Sequence, residues 1–100
     1  MDIRQLRYLA ALAREQHFAR AAEACGIAQS TLSSALKQLE AELGVPVVER
    51  GNRFLGLTPE GERVLAWAQR ILADVDALQQ ELAAARGGPP IRRSSSRSAP

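Results

Sequence analysis

Small polar side chains and one lysine recur along a single face of residues 28–43. They are Ser30, Ser33, Ser34 and Lys37, and the face that they form carries no acidic group. Hydroxyl and ammonium groups hydrogen-bond to base edges in the major groove of duplex DNA and to its phosphates. We therefore interpret this face as a candidate DNA-binding surface. The alternative is a solvated polar face that has no partner.

Individual residues of this segment suit different parts of a duplex. Gln29 can bind an adenine edge through two hydrogen bonds, and Ser30 and Ser33 can reach base edges or phosphates. Thr31 can place its methyl group against a thymine or pack within the protein. Lys37 is better suited to a phosphate than to a base.

Two arginines farther along the chain are further candidates. Arg53 falls at the tip of a predicted hairpin, where it can enter the minor groove or contact phosphates. Arg50 has two interpretations that the sequence leaves open. It can form an ion pair with a carboxylate such as Glu40 or Glu49, or it can contact DNA.

The spacing of leucines indicates how the polar face is held. Within residues 28–43, leucines at intervals of four, three and four make one apolar stripe along a helix; they are Leu32, Leu36, Leu39 and Leu43. A shorter helix begins near Phe18, and Gly26 suits the left-handed conformation that ends it. Two helices around a tight turn make a helix-turn-helix arrangement. A further helix over residues 2–15 precedes them.

The rest of the chain divides into a hairpin, a long helix and a tail. Residues 47–50 and 53–57 are typical of two short strands around a turn, which would form a wing. Thr58 favours the start of a helix that can run to residue 85 or 86. The apolar residues of this helix alternate at four and three, a heptad pattern that predicts pairing with a second copy of the chain; they are Val64, Ala68, Ile71, Val75, Leu78 and Leu82. The serine- and arginine-rich composition of residues 87–100 predicts disorder.

The composition excludes several classes of protein. A chain of 100 residues allows one domain with an appended helix, and the net charge of +2 gives no argument for nucleic acid, because the basic excess lies in the tail. No apolar run approaches the about 20 residues of a membrane span, and no signal peptide is recognisable, which predicts a cytoplasmic protein. The chain has neither a nucleophile–base pair nor a phosphate-binding glycine loop, so we predict no enzyme activity and no cofactor.

Three residues that invite a functional interpretation have a simpler one. Cys25 is the single cysteine, and we expect it to be a small buried side chain beside the turn. His17 is the single histidine and has no cluster of potential ligands around it, so we predict no metal site and expect His17 near the start of the second helix. We expect Trp67 to pack against protein.

Ordered motifs across residues 1–86 resemble the N-terminal domain of LysR-type transcriptional regulators. The matching stretches are RQLRYL at 4–9, FARAA at 18–22, QSTLS at 29–33, LEAELGV at 39–45, ER at 49–50 and LTPEG at 57–61. The resemblance implies a winged helix-turn-helix that binds promoter DNA, and a linker helix that pairs antiparallel in a dimer. It also implies a C-terminal domain that binds a small-molecule effector, and we expect this chain to lack that domain.

The chain departs from the pattern that the family commonly shows. Ala28 stands where a serine commonly caps the third helix, and Ser30 stands where proline is common. Ser34 replaces an arginine that often contacts DNA in the family. These departures affect the expected target sequence and affinity, and they leave the expected mode of binding unchanged.

The fold class that we predict is mainly α: three helices and a two-stranded wing over residues 1–57, then a long dimerisation helix over residues 58–86. The expected function is a sequence-specific transcriptional regulator that binds promoter DNA as a homodimer, in the bacterial cytoplasm at the nucleoid. An excised fragment, a truncated gene product and a stand-alone domain are all compatible with where the chain stops, and truncation is expected at least as much as design. The alternative function is an interaction module that forms mixed dimers with full-length regulators.

Overall fold

A computed structural model of the chain describes residues 1–51 and 53–86, so the predicted disordered tail lies outside the described residues. Four helices and one two-stranded sheet follow one another as α1 (Ile3–Glu15), α2 (Phe18–Cys25), α3 (Gln29–Leu43), β1 (Val48–Arg50), β2 (Phe54–Leu57) and α4 (Pro59–Ala85). The predicted fold class is confirmed.

The helix ends explain why α1 and α3 begin one residue later than predicted. Asp2 and Ala28 have extended backbones and are the N-caps of α1 and α3. Asp2 accepts a hydrogen bond from the Gln5 amide at 3.2 Å, and the Gln5 side chain accepts one from the Asp2 amide at 2.9 Å. This reciprocal capping box satisfies two amides that have no partner within the helix. Gly26 ends α2 in the left-handed conformation, as predicted.

The core lies between α1, α2 and α3. Its largest fully buried side chains are Leu9, Leu12, Leu32, Leu36, Leu39 and Val47. Helix α1 packs against each of the other three helices, and it therefore buries side chains on more than one side. Ala11 is buried for this reason, although it lies outside the stripe that contains Leu6, Leu9 and Leu12.

The wing is an antiparallel hairpin in which Val48 pairs with Leu57 and Glu49 with Gly56. Two short strands are marginal by themselves and need a hydrophobic support. Phe54 of β2 provides it, because its ring meets the ring of Phe18 edge-on at a centroid distance of 5.9 Å. The wing is thereby held against the start of α2.

The junction between the wing and α4 is closed by hydrogen bonds of Thr58. Its hydroxyl accepts from the Gly61 amide at 2.8 Å and donates to the Pro46 carbonyl at 2.7 Å, which confirms Thr58 as the predicted N-cap. Its amide donates to the carbonyl oxygen of Val47 at 3.0 Å. A Cβ on Gly61 would overlap with the same carbonyl oxygen. This close approach explains why a glycine occupies the first turn of an otherwise well-formed helix.

Helix α4 packs on α1 with its first half only. Ala68 is fully buried by its own chain, and Val64 packs against the core cluster. Ala68 is thus already covered within one chain, and its contact with a second copy stays a prediction. Leu78 and Leu82, in the second half, are about half exposed. No helix among the described residues is long and apolar enough to cross a membrane.

Candidate nucleic-acid interface

The two faces of α3 differ in exposure in the way that the leucine spacing predicts. Leu32, Leu36 and Leu39 have no exposed surface. The opposite face is open to solvent: Gln29, Ser30, Thr31, Ser34 and Lys37 are exposed, and Ser33 is half-buried. The polar face is therefore neither packed inward nor covered by the wing. Hydroxyl, amide and ammonium groups are available on it for a partner.

The N-terminus of α3 contributes a positive electrostatic potential to this surface. Ala28 supplies no side-chain hydrogen bond to the first turn, so no side chain of the cap residue competes for the amides there. Free amides and the helix dipole make such an end favourable for an anionic group. Gln29 and Ser30 lie beside it in the first turn.

The start of α3 and the wing both line a cavity of about 220 Å³. Gln29 of α3 and Arg53 beside β2 both line it, so the structure unites two residues that are 24 positions apart in the sequence. Gln16 and His17, from the turn between α1 and α2, line it as well. The Nδ1 atom of His17 accepts a hydrogen bond from the Arg20 amide at 3.4 Å and caps α2. The expected position of His17 at the start of the second helix is confirmed.

Arg50 is engaged in an ion pair within the protein. Its Nη1 atom lies 2.8 Å from Oε1 of Glu40, on α3, which is one of the two roles that the sequence left open. Arg50 is thus turned toward the C-terminal half of α3, away from the cavity that Arg53 lines. A contact between Arg50 and DNA stays a prediction.

Glu40 fastens the wing to α3 with both carboxylate oxygens. Oε2 accepts hydrogen bonds from the amides of Val47 and Val48, at 2.8 and 3.0 Å, while Oε1 accepts from Arg50. Burial disfavours the charged form of this carboxylate, but the hydrogen bonds from Arg50, Val47 and Val48 outweigh burial and lower the pKa of Glu40. The hydrogen bonds are thus strongest when Glu40 is ionised.

Sequence reasoning missed some residues at this surface and part of the role of another. Gln16 and His17 reach the cavity only because α1 and α2 meet beside the wing, and no local pattern signals that position. Glu40 was considered only as a partner of Arg50. Its hydrogen bonds to the Val47 and Val48 amides depend on where the wing lies on α3, which the sequence pattern does not specify.

The other residues that invited a functional interpretation do not form a second site within the described part of the chain. Among residues 1–51 and 53–86, no group of three or more histidine, cysteine, aspartate or glutamate residues could hold a metal ion. Cys25 is a free thiol that is half-buried and packs against the core cluster. Trp67 is 60% exposed, so the expectation that it packs against protein is not met within one chain.

Helix α3, the short turn before it and the wing beside it define a winged helix-turn-helix domain with an open polar helix face. The family model of the bacterial regulatory helix-turn-helix proteins of the lysR family matches residues 3–62, and the chain belongs to this family.

Similar proteins include regulators with known names. The chain is 50% identical over 80 residues to a probable hydrogen peroxide-inducible genes activator of Mycobacterium xenopi, covering 80% of this chain and 42% of that protein. It is 48% identical over 88 residues to the HTH-type transcriptional regulator BudR of Klebsiella aerogenes, covering 87% of this chain and 62% of BudR. The chain thus spans less than two thirds of either regulator.

The fold is also similar to that of a domain solved on DNA. The DNA-binding domain of BenM, in complex with catB site 1 DNA, matches with a TM-score of 0.83 and 38% sequence identity. The match covers 89% of this chain and 99% of the BenM chain.

Proposed function

We propose that this chain is the DNA-binding and dimerisation part of a LysR-type transcriptional regulator that binds promoter DNA. The observation that carries the proposal is the open polar face of α3, which is anchored by three fully buried leucines and whose bordering acid, Glu40, is paired with Arg50. A helix held in this way fits the major groove, where base edges present donors and acceptors.

Each exposed residue has a role in this proposal. Gln29, Ser30 and Thr31 contact base edges at the N-terminal end of α3, and Ser33 and Ser34 contact bases or phosphates one turn farther along. Lys37 and Arg53 contact the DNA backbone, Arg53 from the wing. Phosphate contacts fix the position of the protein, and base contacts select the sequence.

The protein acts as a dimer in this proposal. Two copies related by a two-fold axis bind two half-sites, and α4 joins them through the heptad residues Val64, Ala68, Ile71, Val75, Leu78 and Leu82. Chromosomal DNA as the partner implies a protein that works in the bacterial cytoplasm, at the nucleoid. No membrane, no cofactor and no catalytic step enters this function. A small-molecule effector would act through a domain outside this chain.

The alternative of an interaction module that forms mixed dimers is less well supported. Such a module has no need for an open polar face on α3, yet this chain has one. The BenM domain, similar over almost its whole length, is known in a DNA complex.

The proposal is tested by the affinity of the full 100-residue chain for DNA. The probes are a labelled duplex from the region upstream of its own gene and a random-sequence duplex, in fluorescence anisotropy over a series of salt concentrations. We expect affinity to fall steeply as salt rises, because bound lysine and arginine side chains displace counterions from the phosphates. In Lys37→Ala the slope of log affinity against log salt becomes shallower by about 1.

The combined change Ser33→Ala with Lys37→Ala separates a DNA-binding face from a solvated one. We expect at least about a tenfold loss of affinity for the upstream duplex, since a lost base contact costs about 1–3 kcal/mol. Arg86→Ala is the matched control, because it removes one positive charge at the far end of α4 and should leave the affinity unchanged. Binding that the double variant retains in full would contradict the proposal.

A further inference from the structure

The residue that ends α1 is unusual for the position that it occupies. Gln16 has a left-handed backbone, with φ 61°, and it is the one residue other than glycine with a positive φ in the described part of the chain. Helices α2 and α3 end in the same conformation at Gly26 and Gly44. Glycine adopts this conformation without strain, whereas a residue with a Cβ atom does not. The local backbone at position 16 therefore favours glycine over glutamine.

The next residue is equally unusual as the N-cap of α2. The N-caps of α1 and α4 are Asp2 and Thr58, whose side-chain oxygens accept hydrogen bonds from the first turn. His17 caps α2 through Nδ1, which accepts from the Arg20 amide at a long 3.4 Å. Serine, threonine, aspartate and asparagine are the residues preferred at an N-cap. Two adjacent residues thus depart from the local preference, and such departures are expected at functional sites.

Both unusual residues line the cavity of about 220 Å³ between the start of α3 and the wing. Gln29 and Arg53 line it as well, and no acidic residue of the described part of the chain does. Its other lining residues are Phe18, Ala19 and Phe54. The rings of Phe18 and Phe54 pack edge-on and hold the wing against the start of α2. The cavity therefore lies between elements that are fixed relative to one another, and its one charged lining group is a cation.

Gln16 and His17 each have a hydrogen-bond donor left for a partner. Because Nδ1 of His17 accepts from the Arg20 amide, the neutral ring carries its proton on Nε2. The side-chain amide of Gln16 donates one of its two hydrogens to the Ala13 carbonyl at 3.0 Å, and the second hydrogen is not used in that bond. Both residues are exposed. Neutral N–H donors of this kind bind phosphate oxygens of DNA.

A DNA strand crosses this cavity if α3 and the wing bind as proposed. Gln29 then contacts a base edge in the major groove, and Arg53 contacts the backbone from the wing. The sugar–phosphate strand at the edge of the major groove runs between these two residues, over the cavity that both line. One phosphate of this strand therefore faces the turn between α1 and α2.

We propose that Gln16 and His17 bind one backbone phosphate of the duplex through the Nε2 donors of their side chains. This contact explains why they occupy positions where glycine and serine would fold better. The two residues lower the stability of the folded chain and raise its affinity for DNA. Because phosphates are alike at every base pair, the contact strengthens binding to any duplex and selects no sequence. The inference rests on the proposed function and adds the turn between α1 and α2 to its surface.

The test measures the stability and the DNA affinity of the same variants of the full chain. Gln16→Gly and His17→Ser place the locally preferred residue at each position. Urea unfolding gives the stability. Fluorescence anisotropy with the upstream duplex and the random-sequence duplex gives the affinity over a series of salt concentrations. Gln80→Ala is the matched control, because it removes an exposed amide side chain that does not line the cavity.

Stability and affinity are expected to change in opposite directions. Each variant should unfold at an equal or higher urea midpoint, because glycine relieves the strain and serine is the better cap. Each should bind both duplexes about tenfold more weakly, since a hydrogen bond to a charged group is lost. The slope of log affinity against log salt should stay the same, because a neutral donor displaces no counterion. The control should match the unchanged chain in both measurements.

A second pair of variants changes the charge at position 17 and keeps the cap. Serine and aspartate cap a helix about equally well, so His17→Ser and His17→Asp should have similar urea midpoints. An aspartate carboxylate at this place would repel the phosphate. We therefore expect His17→Asp to bind both duplexes more weakly than His17→Ser. Equal affinities of these two variants would overturn the inference.

The results that overturn the inference differ from those that overturn the proposed function. If Gln16→Gly and His17→Ser keep the affinity of the unchanged chain while Ser33→Ala with Lys37→Ala loses it, no phosphate binds at the turn and the proposed function stands. A weaker affinity that accompanies a lower urea midpoint also overturns the inference, because the two residues then serve the fold. If the unchanged chain binds neither duplex, the inference fails together with the proposed function.

Discussion

The winged body, residues 1–58, and the distal half of α4, residues 73–85, carry leucines at similar helical spacing and differ in what covers them. In the body, Leu36 and its neighbours on α3 have no exposed surface, while Leu78 and Leu82 of α4 are 53% and 50% exposed. Helical periodicity therefore predicts which face of a helix is apolar, and it does not predict which molecule covers that face. In the body, other residues of the same chain bury the leucines. In distal α4, the same chain leaves them about half exposed.

The polar groups of the two regions differ in the same way. In the body, Glu40 and Thr58 accept or donate hydrogen bonds that tie the wing to α3 and to α4. In distal α4, Asp74 and Glu81 form no ion pair with any described residue. The polar groups of the body thus find partners within one chain. The charged groups of distal α4 do not, as is expected of a surface that binds another molecule.

The largest effect on the free energy of unfolding is expected from truncating a leucine of the body. A leucine of distal α4 is truncated for comparison. Leu36→Ala leaves a cavity in the core and should lower the free energy of unfolding by about 2–5 kcal/mol. Leu78→Ala removes a half-exposed side chain and should change the unfolding of the monomer by less than about 1 kcal/mol. Urea unfolding at two protein concentrations separates the two effects, because stability that comes from association depends on concentration.

Leu78→Ala should abolish most of this concentration dependence, and Leu36→Ala should leave it in place. An equal loss of stability at both concentrations in the two variants would mean that distal α4 is part of the monomer core, and the contrast between the regions would fail.

A smaller effect is expected from the charge of Glu40 within the body. Glu40→Gln weakens the hydrogen bonds to Arg50 and to two wing amides, which should cost about 1–3 kcal/mol of unfolding free energy at pH 7. The pKa of Glu40 is lowered in the folded protein, because these hydrogen bonds outweigh the opposing effect of burial. Its stabilisation is therefore fully present above the pKa of an unfolded glutamate, about 4.3, and is lost as the pH falls through the folded-state pKa.

The difference between Glu40→Gln and the unchanged chain should accordingly be constant from pH 7 to about 5 and shrink below about pH 4. Urea midpoints measured across this range give the comparison. Glu23→Gln, at an exposed carboxylate of α2, is the control and should leave the urea midpoint at pH 7 unchanged. A difference that persists at pH 3 would show that the Glu40 charge does not hold the wing.

Much of the fold was predictable because its signals are local. The leucines of α3, the left-handed glycine at Gly26 and the Thr58 N-cap each act within a few residues, and the structure has each where the pattern predicts it. The open polar face of α3 followed from the same spacing. The bounds of five elements are shifted by one residue, which is the usual uncertainty between a cap and the first residue of a helix or strand.

The remaining features depend on how the elements meet. The burial of Ala68 follows from the position of α4 on α1, and the sequence pattern alone assigned it to a seam with a second copy. The second role of Glu40 follows from the position of the wing on α3. Gln16 and His17 approach Gln29 and Arg53 only through the same packing. These features depend on contacts between elements that are distant in the sequence, so the spacing of residues within one element could not predict them.

The smallest effect on the free energy of unfolding is expected at the N-terminus of α3, where the cap residue makes no side-chain hydrogen bond. Ala28 has the extended backbone of an N-cap, with φ −72° and ψ 150°, but its methyl group accepts no hydrogen bond. In Ala28→Ser a hydroxyl can accept from the amide of Ser30 or Thr31, which should stabilise the protein by about 1 kcal/mol in urea unfolding. Ala41→Ser, at an exposed position inside α3, should instead destabilise slightly, because serine is a weaker helix former than alanine. Opposite signs in the two variants would show that the first turn of α3 lacks an acceptor, whereas equal signs would mean that another group already satisfies it.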